Sequence, residues 1–176
     1  MSGPSGARPL ESWDEVVRRG PWGPPPAYRP PAEGAVQALR AVYARADEAL
    51  AGVAACRACG RCCRFERLRP VLFASALELA HLVSSAGRPP PDRAVPPGQP
   101  DAPWRCPYQE GDVCGARDAR PLGCRTYFCD DEARRLGERT YAALFPEVRR
   151  IHDGRGGPWW YGPARAYLAD LSADGA

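Results

Sequence analysis

The segment Cys56-Arg57-Ala58-Cys59-Gly60-Arg61-Cys62-Cys63 sets four thiols within eight residues, and a second group of four, Cys106, Cys114, Cys124 and Cys129, follows after a long interval. Nothing else in the chain constrains its fold as strongly. A C-x2-C unit folds back so that both sulfurs reach one metal ion, as in zinc knuckles and iron–sulfur loops. Gly60 stands just after Cys59, where such a turn often needs positive φ or exposed backbone amides. Cys62 and Cys63 are adjacent, and adjacent side chains point about 100° apart on a helix and to opposite faces of a strand. The doublet is therefore awkward as two ligands of one tetrahedral ion. It suits two neighbouring centres, or one ligand beside one uncoordinated or bridging thiol. The eight thiols fit two four-thiolate zinc sites, or one four-cysteine cluster with four further thiols.

Length and composition narrow the alternatives. A chain of 176 residues is long enough for one domain with extensions, so the cysteines are not needed to rescue a core too small to fold. The net charge of +3 says little about partners. Every basic residue except the two histidines is Arg, and Lys and Asn are absent, so Arg clusters carry little information. No stripe of basic residues with interleaved aromatics stands out, which argues against nucleic acid. The opening MSGPSGARPLESWDEVV has no apolar segment of the signal-peptide type, and no run approaches the ~18 apolar residues of a membrane span. The expected setting is cytoplasmic, away from membranes, where dense cysteine means metal or redox chemistry more often than disulfides. Small buried hydrophobes with a disulfide or two would leave the second group unexplained. A thioredoxin-like pair at Cys56 and Cys59 lacks the βαβ context it needs.

Three segments follow from the punctuation of the chain. Residues 1–32 form a Pro- and Gly-rich arm that should be extended, with Trp13, Trp22 and Tyr28 available to pin it to the body or to bind a protein or peptide partner. Residues 33–155 hold the cysteine-cluster domain, and residues 156–176 a tail with a short helix near 163–171. Within the domain, Val36, Leu39, Tyr43, Ala46, Leu50 and Val53 predict an amphipathic helix over 34–54 that runs directly into Cys56. Ser75 and Glu78 form a capping-box pattern at the head of a second helix, 75–86. The Pro-rich stretch 87–103 is a loop between the two cysteine groups. A hairpin with Glu110-Gly111-Asp112 as its turn falls near 105–115, and a helix covers 131–145 with Asp130 or Asp131 as its N-cap candidate, Pro146 opening a further turn. The expected fold is mainly α, a small helical domain wrapped around an irregular cysteine-rich metal core with little β structure.

The second informative stretch is Arg120-Pro121-Leu122-Gly123-Cys124-Arg125-Thr126-Tyr127-Phe128-Cys129. Pro121 and Gly123 shape a turn before Cys124. Arg125, beside that thiol, could donate to a sulfur, a carboxylate or a bound anion, and Tyr127 and Phe128 could exclude water. Arg64 is placed in the same way beside the doublet. A thiolate site is negatively charged and needs cations and amides around it.

Cys56-x2-Cys59-Gly60-x-Cys62-Cys63, a helix opening at Ser75-x2-Glu78, then Cys106-Pro107-x6-Cys114 and Arg120-Pro121-x2-Cys124-Arg125-x3-Cys129 together resemble the CxxCxxCC, or YkgJ-type, cysteine-cluster family. Its members are described as zinc- or iron-chelating domains. The likeness covers about residues 50–130 and implies a zinc, iron or iron–sulfur site held by the eight cysteines. A similar cysteine domain occurs in flagellin lysine methylases, but this chain shows no Gly-rich loop after a strand to hold S-adenosylmethionine. The leading reading is a metal-binding module. The alternative is a metal- or iron–sulfur-dependent enzyme with redox or protein- and peptide-modifying activity. Its extra groups would come from Glu66, His81, Tyr127, Asp130, Asp131 and His152, and it would require an open coordination position. A third reading makes the cysteines staples of a platform that binds a partner through the arm and the Gly157–Pro163 segment.

Overall fold

The structure, a computed structural model, describes residues 22–52, 60, 63, 72–87, 105–154 and 158–173. Val36, Leu39, Tyr43 and Ala46 form the buried stripe of α1 (Glu33–Ala49). This helix is shorter than its periodicity suggests. Ala51 N–H donates to Glu48 O at 3.2 Å, a tighter turn that closes the helix before Gly52. The helix therefore ends at Ala49, and Val53, which the periodicity includes, lies outside the described residues.

Phe73–Ser75 forms β1, which passes straight into α2 (Ala76–Ala86). Ser75 and Glu78 make the capping box that the sequence predicts, and Gly87, at φ 81°, ends the helix. Gln109–Glu110 and Val113–Cys114 form the short hairpin β2–β3, whose turn begins at Gly111 with φ 58°. A 3-10 turn (Arg117–Ala119) and the one-turn helix α3 (Leu122–Thr126) lead into α4 (Asp131–Asp153).

The sequence predicts a helix over 131–145 with Pro146 opening a further turn, yet α4 runs through Pro146 as one helix. An interior proline costs a helix about 3 kcal/mol. Leu144 and Val148, on either side of it, are buried in one apolar cluster with Leu39, Tyr43, Leu77 and Leu122. That shared burial holds the helix together. The chain closes with β4 (Tyr161–Pro163) and α5 (Ala164–Ala173). β4 pairs antiparallel with β1, Ser75 opposite Tyr161 and Phe73 opposite Pro163.

α2 is the hub. Leu77 faces the cluster shared by α1, α3 and α4, whereas Leu79, Leu82 and Val83 face a second cluster with Tyr108, Trp160, Tyr167 and Leu168. A helix apolar on so much of its circumference must lie inside the protein. Among the described residues the core is thus built of two apolar clusters, with Cys106 and Cys114 at the margin of the second. Part of the N-terminal arm lies on this body. Trp22 meets Phe73 edge-on at 5.3 Å, Trp160 Nε1 donates to Gly23 O at 3.3 Å, and the Tyr28 and Ser84 hydroxyls lie 3.0 Å apart. Trp13 and the loop 88–103 fall outside the described residues. Among the described residues, the fold is mainly helical with two short ribbons, and no helix is long and apolar enough to cross a membrane.

Candidate functional site

Cys63, Cys106, Cys114, Cys124 and Cys129 are among the described residues; Cys56, Cys59, Cys62, Arg64 and Glu66 are not. None of the five described cysteines is in a disulfide. Four of them are partly buried and Cys129 is exposed.

The two cysteine groups meet at a junction made of backbone. Cys63 N–H donates to Gly60 O at 3.0 Å, and Cys106 N–H donates to Cys63 O at 3.0 Å. Gln109 N–H donates to Cys106 O at 3.0 Å, and its side-chain amide donates to Gly60 O at 3.2 Å. Gln109 is also the cross-strand partner of Cys114. Gly60 has φ 63°, the left-handed region that the spacing suggested. A Cβ there would lie 2.5 Å from Gln109 Nε2 and 2.7 Å from Asp112 O, so only glycine lets the hairpin approach. The junction ties Cys63, Cys106 and Cys114 to one small unit. Among the described residues, no group of three or more His, Cys, Asp or Glu is arranged to hold a metal ion.

Cys124 is held in a different way. It lies in α3, where Cys124 N–H and Arg125 N–H both turn back to Pro121 O, at 2.9 and 3.1 Å. Each nitrogen of the Arg125 guanidinium has an acceptor. Nη1 donates to Asp47 Oδ2 at 2.6 Å, Nε donates to Arg120 O at 3.0 Å, and Nη2 donates to Asp118 O. The guanidinium also lies 4.3 Å from the Tyr43 ring centroid. Of the three partners considered for Arg125, a carboxylate is the one observed. Its side chain is 4% exposed and that of Asp47 53%.

Glu78 is the group that sequence reasoning undervalued. It is 1% exposed and its carboxylate faces donors from three elements. Oε2 accepts from Ser75 N–H at 2.9 Å and from Ser75 Oγ–H at 2.8 Å. Oε1 accepts from Leu122 N–H at 2.8 Å and, at 3.5 Å, from the Tyr43 hydroxyl. Burial pushes the Glu78 carboxyl up, and the amides of Ser75 and Leu122 pull it back down. Burial, then the Glu78 charge, holds the Tyr43 hydroxyl well above its usual range, and Arg125 opposes them. Capping alone is worth about 0.5–2 kcal/mol, whereas burying a carboxylate costs several kcal/mol before its hydrogen bonds offset it. The signal was present in Ala76-Leu77-Glu78-Leu79-Ala80: a capping glutamate whose neighbours are all apolar is itself carried into the core.

The remaining candidates have local partners. Asp130 Oδ1 caps α4 by accepting from Glu132 N–H and Ala133 N–H, each at 3.0 Å, and Asp131 pairs with Arg134 at 2.8 Å. Tyr127 ends α3 and is half-buried, as is Phe128. His81 packs against Tyr43 and His152 against Trp159, so the two imidazoles have different surroundings. Burial, then Arg40 and Arg125, lowers the pKa of His81. No protein-family model, curated protein or solved structure matches the chain.

Proposed function

We propose that this chain is a metal-binding cysteine-cluster protein. Zinc, iron or an iron–sulfur cluster would be held through Cys56, Cys59, Cys62 and Cys63 together with Cys106, Cys114, Cys124 and Cys129. The observation that carries the reading is the Cys106 N–H to Cys63 O bond, which draws the last thiol of one group toward the first of the other. The likeness to the YkgJ-type motif supports it independently. A reducing, cytoplasmic setting would keep the thiols available as ligands. Ordering the loop between the groups costs entropy, and metal-binding free energy, which is folding free energy in such sites, would offset it.

The test is elemental analysis with an absorption spectrum on protein purified without oxygen. Zinc without visible absorption identifies a thiolate scaffold. Iron with acid-labile sulfide and a broad visible band identifies a redox-capable cluster. Protein that retains no metal, and takes up neither zinc nor iron when reduced and titrated, overturns the proposal.

A further inference from the structure

We infer that Glu78 is a positioning residue for Cys124, acting through the Leu122 amide. The inference takes Cys124 as a site residue and to that extent rests on the reading above. Its geometry does not.

The capping box at the head of α2 needs only one carboxylate oxygen. Oε2 fills that role by accepting both the backbone N–H and the hydroxyl of Ser75. Oε1 is surplus to capping, and it reaches across 44 residues of sequence to Leu122 N–H at 2.8 Å. Leu122 opens α3, and its amide is one of the first-turn donors that a helix leaves without an internal acceptor. In a helix of one turn, that single bond fixes how the turn is rotated about Pro121. Cys124 is two residues on.

The rest of α3 is pinned from other sides. Arg125 binds Asp47 and two backbone carbonyls, and Thr126 Oγ1 donates to Leu122 O at 3.0 Å. At its end, Gly137 of α4 sits so close that a Cβ there would overlap Thr126 O. Glu78 is the contact that fixes the start of the turn, and so the direction in which the Cys124 thiol leaves it. Cys129, beyond the end of α3, is exposed.

The geometry makes an unequal prediction for the two halves of the capping box. In Glu78→Gln the single acceptor oxygen should stay with Ser75, whose N–H and hydroxyl both donate at that position, so the NH2 falls against Leu122 N–H and that buried donor loses its acceptor. Ser75→Ala weakens the cap but leaves the Oε1 to Leu122 bond in place. The experiment is residue-resolved alkylation of the full-length, reduced, metal-free protein by iodoacetamide, with Cys106 as internal reference. Glu78→Gln should speed alkylation of Cys124 relative to Cys106 by about tenfold, the size of one lost buried hydrogen bond. Ser75→Ala should leave that ratio within about twofold, because the Leu122 bond persists. If both variants speed both thiols alike, or if Glu78→Gln leaves the ratio unchanged, Glu78 is only a cap and the inference is wrong.

Should Glu78→Gln not fold, amide exchange of the wild type decides. Leu122 N–H should exchange as slowly as the core of α2, and fast exchange at Leu122 overturns the inference. Because the assay uses metal-free protein, failure to bind Co2+ in a parallel titration would defeat the metal reading without touching this result.

Discussion

The molecule holds its described cysteines in two contrasting ways. Cys106 and Cys114 belong to the hairpin segment, which is bound to Cys63 by a main-chain bond and to Gly60 by the Gln109 side-chain amide, and that junction depends on one left-handed glycine. Cys124 sits on a one-turn helix gripped by buried charged side chains, Glu78 and Arg125, with α4 pressed against its end. The first arrangement is specified by backbone conformation and the second by burial. They should fail differently. Changes at the junction should disturb the cysteine hairpin and spare the helical core, whereas changes around α3 should cost global stability.

The largest effect is expected from Gly137→Ala. On an exposed helix face this change would gain up to about 1 kcal/mol of helix propensity. Here the new Cβ would run into Thr126 O, with Thr126 C at 2.9 Å, and both are backbone that cannot step aside cheaply. We expect a loss of about 3 kcal/mol or more, the upper end of overpacking costs, read as a lower denaturation midpoint. Unchanged stability would mean that α3 and α4 do not approach as described.

Next is Gly60→Ala. A left-handed conformation costs a non-glycine residue about 1–2 kcal/mol, and the clash with Gln109 Nε2 and Asp112 O adds to it. Circular dichroism should keep its helical signal while proteolysis near the β2–β3 hairpin accelerates. A parallel collapse of helix and hairpin would erase the distinction between the two regions.

Arg125→Lys comes third. A lysine keeps one charge but cannot serve Asp47 and two carbonyls at once, and a loss of about 2 kcal/mol is expected by chemical denaturation. Arg134→Ala, on the exposed face of α4, should leave the melting temperature unchanged, because screened surface pairs contribute little.

Alkaline pH should weaken both regions together. Burial raises the hydroxyl pKa of Tyr43, Tyr108, Tyr141, Tyr161 and Tyr167, the last to about 12. Above pH ~10 the unfolded chain loses these protons while the folded one retains them, so stability falls as pH rises. Denaturation midpoints should stay level between pH ~8 and ~9 and fall as pH rises from ~10 to ~11, and a flat profile through pH ~11 would contradict the burial of these rings.

The helical half of the fold was the more legible in the sequence. Helical spacing marked the buried face of α1, Ser75 and Glu78 marked the head of α2, and Glu110-Gly111-Asp112 marked the hairpin turn, although Glu110 belongs to strand β2. The errors have physical causes. A tight turn at Leu50 and Ala51 ended α1 after Ala49, and shared burial of Leu144 and Val148 carried α4 through Pro146. The β1–β4 ribbon escaped because each strand is three residues long and its partner is remote, so pairing and not periodicity defines it. For the candidate site, the role of Gly60 was visible from its spacing, whereas the Glu78 to Leu122 bond was not. A capping pattern predicts one oxygen's partners and says nothing of the other's.

The central claim is that the two cysteine groups act as one metal-binding unit joined at Cys63 and Cys106. The most direct measurement is the metal content per chain of Cys63→Ser and Cys106→Ser, each purified without oxygen beside the wild type. The account predicts that both variants lose the same metal to a similar extent, since their residues share one junction. Retention of the full wild-type complement by both would contradict it.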